Sequence, residues 1–187
     1  MTNFNKTYNC LNQQVFTDNR YSIVPIRYKD RFDIMKWRNE QMYHLRQKEL
    51  LTTESQDKYF NTVISNLFKQ SKPNQILFSF LKDNICVGYG GLVHINWVDN
   101  NAEISFVMNT ELEKTDFNLN WNAYLGLIEK IGFYELNLKK ISTFAFDLRP
   151  HLYTMLEQNG YNHEATLIDH CYYMNKYINV IIHSKIN

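Results

Sequence analysis

Two residues of this chain are well suited to moving a proton, Glu103 and His94. Glu103 is the single carboxylate inside the β-patterned run Ala102-Glu103-Ile104-Ser105-Phe106. His94 lies in the preceding run, His94-Ile95-Asn96-Trp97, across an Asp99-Asn100-Asn101 turn. Burial of a carboxylate within a strand raises its pKa toward the range useful to a general base. An imidazole titrates near neutrality without such help. The structural alternatives are an ion pair with a neighbouring Arg or Lys for Glu103 and a packed strand histidine for His94. The stretch before them, Val87-Gly88-Tyr89-Gly90-Gly91-Leu92, is punctuated by glycines. Glycine inside a strand marks a bulge or the close approach of a ligand or another backbone. Arg38 is the candidate for gripping an anionic substrate group, because a planar guanidinium matches phosphate and carboxylate. Trp37 and Trp97 are candidates for a stacking wall beside it; the alternatives are a core tryptophan and a local ion pair.

These residues must be positioned by elements that the periodicity outlines. Residues 1–20 are polar and unpatterned and are expected to form an N-terminal arm that docks late or stays loose. Tyr21 to Ile26 alternates as a short strand, and Asp30 to Met42 reads as a first helix. Thr53 and Gln56 have the spacing of a capping box before a second helix with Tyr59, Phe60, Val63, Ile64, Leu67 and Phe68 on one stripe. Ile76 to Leu81 and Ile85 to Trp97 form a hairpin around Lys82-Asp83-Asn84, followed by a strand from Ala102 to Met108. A third helix spans Leu119 to Tyr134, and Lys140 to Phe146 is a strand. Pro150 opens a fourth helix that ends at Gly160, and Tyr161 to Cys171 with Tyr177 to Ile186 closes the chain as a hairpin. The order β, α, α, β, β, β, α, β, α, β, β implies one mixed α/β layer structure with a largely antiparallel sheet.

Composition narrows the function class. A chain of 187 residues, 44% hydrophobic and 21% charged, suits a single soluble domain with its own core. A net charge of +1 without a basic stripe argues against nucleic acid as the partner. Neither a signal-type leader nor a membrane-length apolar run is apparent, so a cytoplasmic protein without membrane attachment is expected. Cys10, Cys86 and Cys171 lack paired spacing, and His151, His163, His170 and His183 lack ligand spacing, so neither a disulfide nor a metal is expected.

The element order and local sequence resemble the GNAT superfamily of acyl-CoA-dependent N-acyltransferases over roughly residues 21–186. Val87 to Leu92, Ile95 to Trp97 and Ala102 to Phe106 are similar to the third and fourth strands of the branch containing ribosomal-protein and spermidine N-acetyltransferases. Leu156-Glu157-Gln158-Asn159-Gly160-Tyr161 is similar to that family's helix-to-strand junction, and Asp169-His170 with Lys176-Tyr177-Ile178-Asn179-Val180 to its closing hairpin. Trp37-Arg38-Asn39-Glu40 is similar to the acceptor-side helix of members that acetylate nucleotide-linked amino sugars, which adds Asn39 to the candidate substrate residues. The resemblance implies a GNAT-like α/β (α+β) domain over 21–187, with a mainly antiparallel sheet and helices on both faces. It further implies acetyl-CoA as co-substrate, a small-molecule primary amine as acceptor and, by analogy, a homodimer. A protein or polyamine acetyltransferase, or a GNAT-fold binding module without catalysis, are the other readings.

The resemblance also assigns roles. Backbone groups of Phe106, Val107 and Met108 would hold the pantetheine arm where the family's fourth and fifth strands part. The pyrophosphate loop corresponds to Glu113-Lys114-Thr115-Asp116-Phe117-Asn118, running into Leu119, with Glu113, Asp116 and Asn118 replacing the family's Arg/Gln and two small residues. Glu113 and Asp116 place negative charge there, opposed by Lys114 alone. Leu156 stands where the family's leaving-group tyrosine is expected, so Tyr153, one turn earlier, is the substitute acid. Arg149 replaces an asparagine at the start of the same helix and is a candidate phosphate ligand.

Overall fold

The computed structural model describes residues 4–187. Eight strands form one sheet in the order β1-β2-β3-β4-β5-β6-β8-β7. The strands are β1 (Phe16–Asp18), β2 (Tyr21–Pro25), β3 (Ile76–Lys82), β4 (Ile85–Asn96), β5 (Asn101–Met108), β6 (Lys140–Phe146), β7 (Asn162–Tyr173) and β8 (Lys176–Ile186). The helices are α1 (Arg31–Glu40), α2 (Thr53–Tyr59), α3 (Ser65–Leu67), α4 (Thr110–Thr115), α5 (Phe117–Glu129) and α6 (Pro150–Gln158). A π-turn over Phe60–Ile64 joins α2 to α3. Helices lie on both faces of the sheet, and β3 is buried from Ile76 to Leu81, as a strand covered on both sides must be. Among the described residues no helix is long and apolar enough to cross a membrane.

Among the described residues only β5 and β6 pair in parallel, and only over Asn101–Glu103 against Lys140–Ser142. Beyond that point the two strands part, while β5 stays zipped to β4 and β6 to β8. The glycines of β4 serve the sheet. Gly90 lies opposite both Phe78 and Phe106, and a Cβ there would meet Ser105 O at 2.0 Å and the Tyr124 hydroxyl at 2.5 Å. That space lets Tyr124 of α5 stack on Phe106, with ring centroids 3.8 Å apart, and donate to Ser105 O at 2.8 Å. At Gly91 the close neighbour is Ile76 O, 1.9 Å from the position of a Cβ. What comes close to this glycine run is the neighbouring backbone and a tyrosine.

The N-terminal segment is not loose. Tyr8 is 1% exposed, Leu11 and Phe16 are buried, and β1 pairs with β2. The Tyr8 hydroxyl donates to Leu77 O at 2.8 Å and accepts from Leu77 N at 3.0 Å, where β2 runs out at Pro25. Of the two readings, docked or loose, burial decides for docking: Tyr8, an aromatic with a polar tip, anchors the segment together with Leu11 and Phe16. The cap of α2 is one residue earlier than expected. Thr52 and Ser55 form the reciprocal pair, with Thr52 N donating to Ser55 Oγ at 2.9 Å and Ser55 N to Thr52 Oγ1 at 3.2 Å. Ser55 substitutes for the Glu or Gln of the usual pattern.

Candidate active site

The parting of β5 from β6 opens a cavity of about 830 Å³. Its walls come from β3, β4, β5, β6, α1, α2, α5, α6 and the segment between α1 and α2. Asn109 N donates to Val87 O, and strand alternation then turns the peptide groups of Ile104, Phe106 and Met108 toward the gap. Val107 turns its own toward Tyr89 of β4. Met108 O accepts from the Gln41 side chain at 2.8 Å. Among the described residues, Thr143 Oγ1 and Trp121 Nε1 are buried and have no hydrogen-bond partner, and both residues line the gap. A gap with peptide groups along one side and unsatisfied donors in its walls fits an extended, amide-bearing chain such as pantetheine.

Glu103 stands where the strands begin to part, with its side chain 15% exposed. Burial raises its pKa, and Arg46 and His94 oppose that shift. Arg46 comes from the segment between α1 and α2; it pairs with Glu103 and lies over the Phe144 ring of β6 at 4.6 Å. His94 Nε2 is 4.0 Å from Glu103 Oε2. The strand alone would not bring it there. The register of β4 against β5 slips between Val93 and Asn96, and His94 takes a positive φ of 52° within that bulge. Bulges re-aim side chains in this way. The two candidate proton-transfer residues therefore meet at the rim of one cavity.

Arg38 lines the same cavity. Its Nε donates to Gln47 Oε1 at 2.9 Å and its Nη1 to the Tyr89 hydroxyl, and among the described residues no carboxylate is within ion-pair distance. The other candidate substrate residues, Trp37, Trp97 and Asn39, serve structure. Trp37 is 5% exposed in the core, and Trp97 donates its Nε1 to Pro73 O at 2.8 Å; neither lines the cavity. Asn39 accepts from Leu51 N and Gln47 Nε2 and donates to Leu51 O, each at 2.9 Å, so it shapes the segment that carries Arg46 and Gln47. Tyr153 also lies outside the cavity wall. Its hydroxyl donates to Phe146 O at 3.0 Å, its ring stacks on His183, and burial with Asp147 nearby pushes its pKa up.

The segment expected to be an open phosphate loop is helical. Asn109 caps α4 by accepting from Glu111 N at 2.9 Å, and Glu-Leu-Glu-Lys without glycine continues the turn. Lys114 pairs with Glu111 at 2.9 Å, and Thr115 Oγ1 donates to Glu111 O at 3.1 Å. Glu113 is opposed not by Lys114 but by Arg149, with Nη1 to Oε1 at 2.8 Å. Asp116 links α4 to α5 and makes no side-chain cap on α5. A cleft beside it is lined by Lys114, Thr115, Asp116, Phe117, Asn118 and Leu119, with His151 against the Phe117 ring at 4.4 Å. The uncapped amides of a helix start suit a phosphate.

The sequence reading missed Arg46, His44, Tyr89 and Thr143. Arg46 and His44 lie in an unpatterned segment, Tyr89 was hidden among glycines, and Thr143 looks like any strand threonine. The Leu156 and Arg149 substitutions hinted at an altered wall: Leu156 is fully buried in the core, whereas Arg149 lines the cavity.

The family model for the acetyltransferase (GNAT) domain matches residues 23–182. No curated protein matches the chain in sequence. Among solved structures, mutant forms of the spermidine/spermine N-acetyltransferase from Vibrio cholerae superpose with a TM-score of 0.74 at 15% identity, covering 90% of this chain and 95% of that one. The Vibrio cholerae spermidine N-acetyltransferase in complex with CoA and spermine gives 0.72 at 16%, covering 90% and 96%. A dodecameric form of that enzyme gives 0.71 at 17%, covering 90% and 95%. At such identities these likenesses speak for the fold. With the domain match spanning most of the chain over a sheet that splays at β5 and β6, the chain belongs to the GNAT acetyltransferase family, enzymes that transfer an acyl group from acyl-CoA to an amine with acetyl-CoA as co-substrate.

Proposed function

We propose that this enzyme acetylates the primary amine of a small molecule that also carries an anionic group, a nucleotide-linked amino sugar being one such acceptor. The observation that carries this reading is Arg38, a cavity-lining guanidinium held only by the neutral partners Gln47 and Tyr89. A cation that lacks a carboxylate is available to a substrate phosphate or carboxylate. Acetyl-CoA supplies the acyl carbon when bound. Glu103 takes the amine proton through water, with His94 beside it as relay, and Arg46 keeps the carboxylate ionised. Loss of that proton frees the nitrogen lone pair for attack; the C–N bond forms as the C–S bond breaks, and CoA leaves as a thiolate that takes up the second proton given up by the nitrogen. Phe106 and Met108, whose peptide groups face the gap, border the pantetheine arm, while Val107 is turned to β4; Lys114, Arg149 and the start of α5 are the cationic and amide groups offered to the phosphates of CoA.

A polyamine acceptor is the second reading, favoured by the spermine-bound solved relative. A polycation in this cavity would share it with Arg38 and Arg46 as well as Glu103, and like charges weaken binding. As in the resemblance, a homodimer is part of the proposal: β7 is a sheet edge that exposes Ile168 and Tyr172, with Met174 exposed in the turn that follows, and light scattering on the purified chain reads the mass.

The test is thiol release from acetyl-CoA with three amines: a nucleotide-linked amino sugar, the free amino sugar and spermidine. The phosphate-bearing amine should have the lowest KM, and Arg38→Ala should raise that KM about 10- to 100-fold, the loss of a charge-assisted contact. A preference for spermidine that Arg38→Ala leaves intact would favour the polyamine reading.

A further inference from the structure

The Glu113–Arg149 pair sits between two spaces. Arg149 lines the large cavity, while Glu113 lines the cleft at the start of α5. The pair is short, at 2.8 Å, and each side chain is only 10% exposed. Its members come from the two strands that part: Glu113 from α4, which follows β5, and Arg149 from the residue that leads into α6 after β6. A ligand whose apolar arm lies in the β5–β6 gap and whose phosphates reach the α5 cleft must pass this bridge.

Pulling such a pair apart leaves two poorly solvated charges, which is strongly unfavourable. Replacing one anion with another is not, because the guanidinium keeps a partner throughout. A guanidinium also accepts a phosphate in the same two-pronged geometry as a carboxylate. Nearby groups leave Arg149 without another acidic partner. Lys114 is engaged by Glu111, and His44 and His151 face Arg149 as neutral rings, their pKa values lowered by burial and by Arg149 itself.

We propose that Glu113 is a placeholder anion on Arg149. It ties the β5 side to the β6 side while the site is empty, and yields the guanidinium to a phosphate of acetyl-CoA when the ligand threads from the gap into the α5 cleft. The released Glu113 carboxylate turns to solvent at the cleft, and no covalent bond changes. This rests on the acetyl-CoA co-substrate of the family and adds how this chain, lacking the glycine-rich loop, secures the phosphate end.

Calorimetric titration of the full chain with CoA and with S-acetylpantetheine, which lacks the phosphates, tests it. Glu113→Gln removes the competing anion and should tighten CoA about tenfold while leaving S-acetylpantetheine unchanged. Arg149→Gln should weaken CoA at least tenfold, again without effect on S-acetylpantetheine. Equal tightening of both ligands by Glu113→Gln would mean that the Glu113–Arg149 bridge closes the gap to any ligand rather than competing with a phosphate, and would overturn the exchange, as would weaker CoA binding in that variant. If Glu113→Gln does not fold, Arg149→Gln decides alone, and unchanged CoA affinity there overturns the proposal. Wild-type and Glu113→Gln proteins that both bind S-acetylpantetheine but not CoA would overturn the exchange alone. Failure of both to bind either ligand would overturn the co-substrate assignment with it.

Discussion

Arg46 pairs with the Glu103 carboxylate while its guanidinium lies over the Phe144 ring, 4.6 Å from the centroid. One side chain from a patternless segment thus joins β5 to β6 at the point where they part, and it also tunes the candidate base. Burial pushes the Glu103 pKa up and Arg46 pulls it down. Removing Arg46 therefore lets the pKa rise further, and a base that must be ionised stops working at a higher pH. Arg46→Ala should shift the acid limb of the kcat/KM profile upward in pH, and Glu103→Gln should lower kcat about 10²- to 10⁴-fold. Rates measured between pH 5 and 9 check both; an acid limb that stays in place in Arg46→Ala would remove Glu103 from the base role.

The glycines of β4 and α5 should respond oppositely to alanine. Gly91→Ala sets a Cβ 1.9 Å from Ile76 O, a backbone atom with little room to move. The expected loss is about 3 kcal/mol or more, at the upper end for overpacking. Gly126 of α5 has nothing within 4 Å of its Cβ position, so Gly126→Ala should stabilise by about 0.5–1 kcal/mol through helix propensity. Urea unfolding of both variants reads the difference.

Stability should fall with acid through His44. Burial, with Arg149 close by, lowers its pKa from 6.5 to about 3 in the folded chain. A depressed folded pKa means that the neutral ring supports the fold above about pH 6.5, and that this support is lost as pH falls from 6.5 toward 3. One such group contributes a slope of up to about 1.4 kcal/mol per pH unit. His183 is shifted the same way by burial, so His44→Gln should flatten the profile without abolishing it. Urea midpoints at pH 7.5 and pH 5 measure the change; identical slopes in the two proteins would contradict it.

Tyr8 carries the N-terminal segment. Tyr8→Phe keeps the packing against Phe68 and Phe78 but strands the N–H of Leu77, whose C=O still accepts from Ile26 N at 3.0 Å. A destabilisation of about 1–3 kcal/mol is expected from one buried backbone donor left without a partner. A thermal melt within error of wild type would show that water replaces the hydroxyl.

Periodicity in the residues was enough to outline β6, α6, the two hairpins and the α/β order, because a strand or helix with one buried face repeats its apolar positions at a fixed interval. Arg38, Glu103 and His94 were legible by residue type, since few side chains can carry charge or a proton in such runs. What lay beyond reach were the relations between distant segments. β1 is three residues long and leaves no repeat, and the docking of residues 4–18 rests on Tyr8, Leu11 and Phe16, buried at no regular spacing. The capping Thr52–Ser55 pair is a one-residue shift that propensity does not resolve. The helical α4 and the Glu113–Arg149 bridge depend on residues 36 positions apart meeting across two strands that diverge. The same holds for Arg46, which reaches Glu103 over 57 positions. Local pattern reports which face of an element is buried; which charged side chain stands opposite another is set by how the elements pack, and there β5 and β6 part to place both arginines.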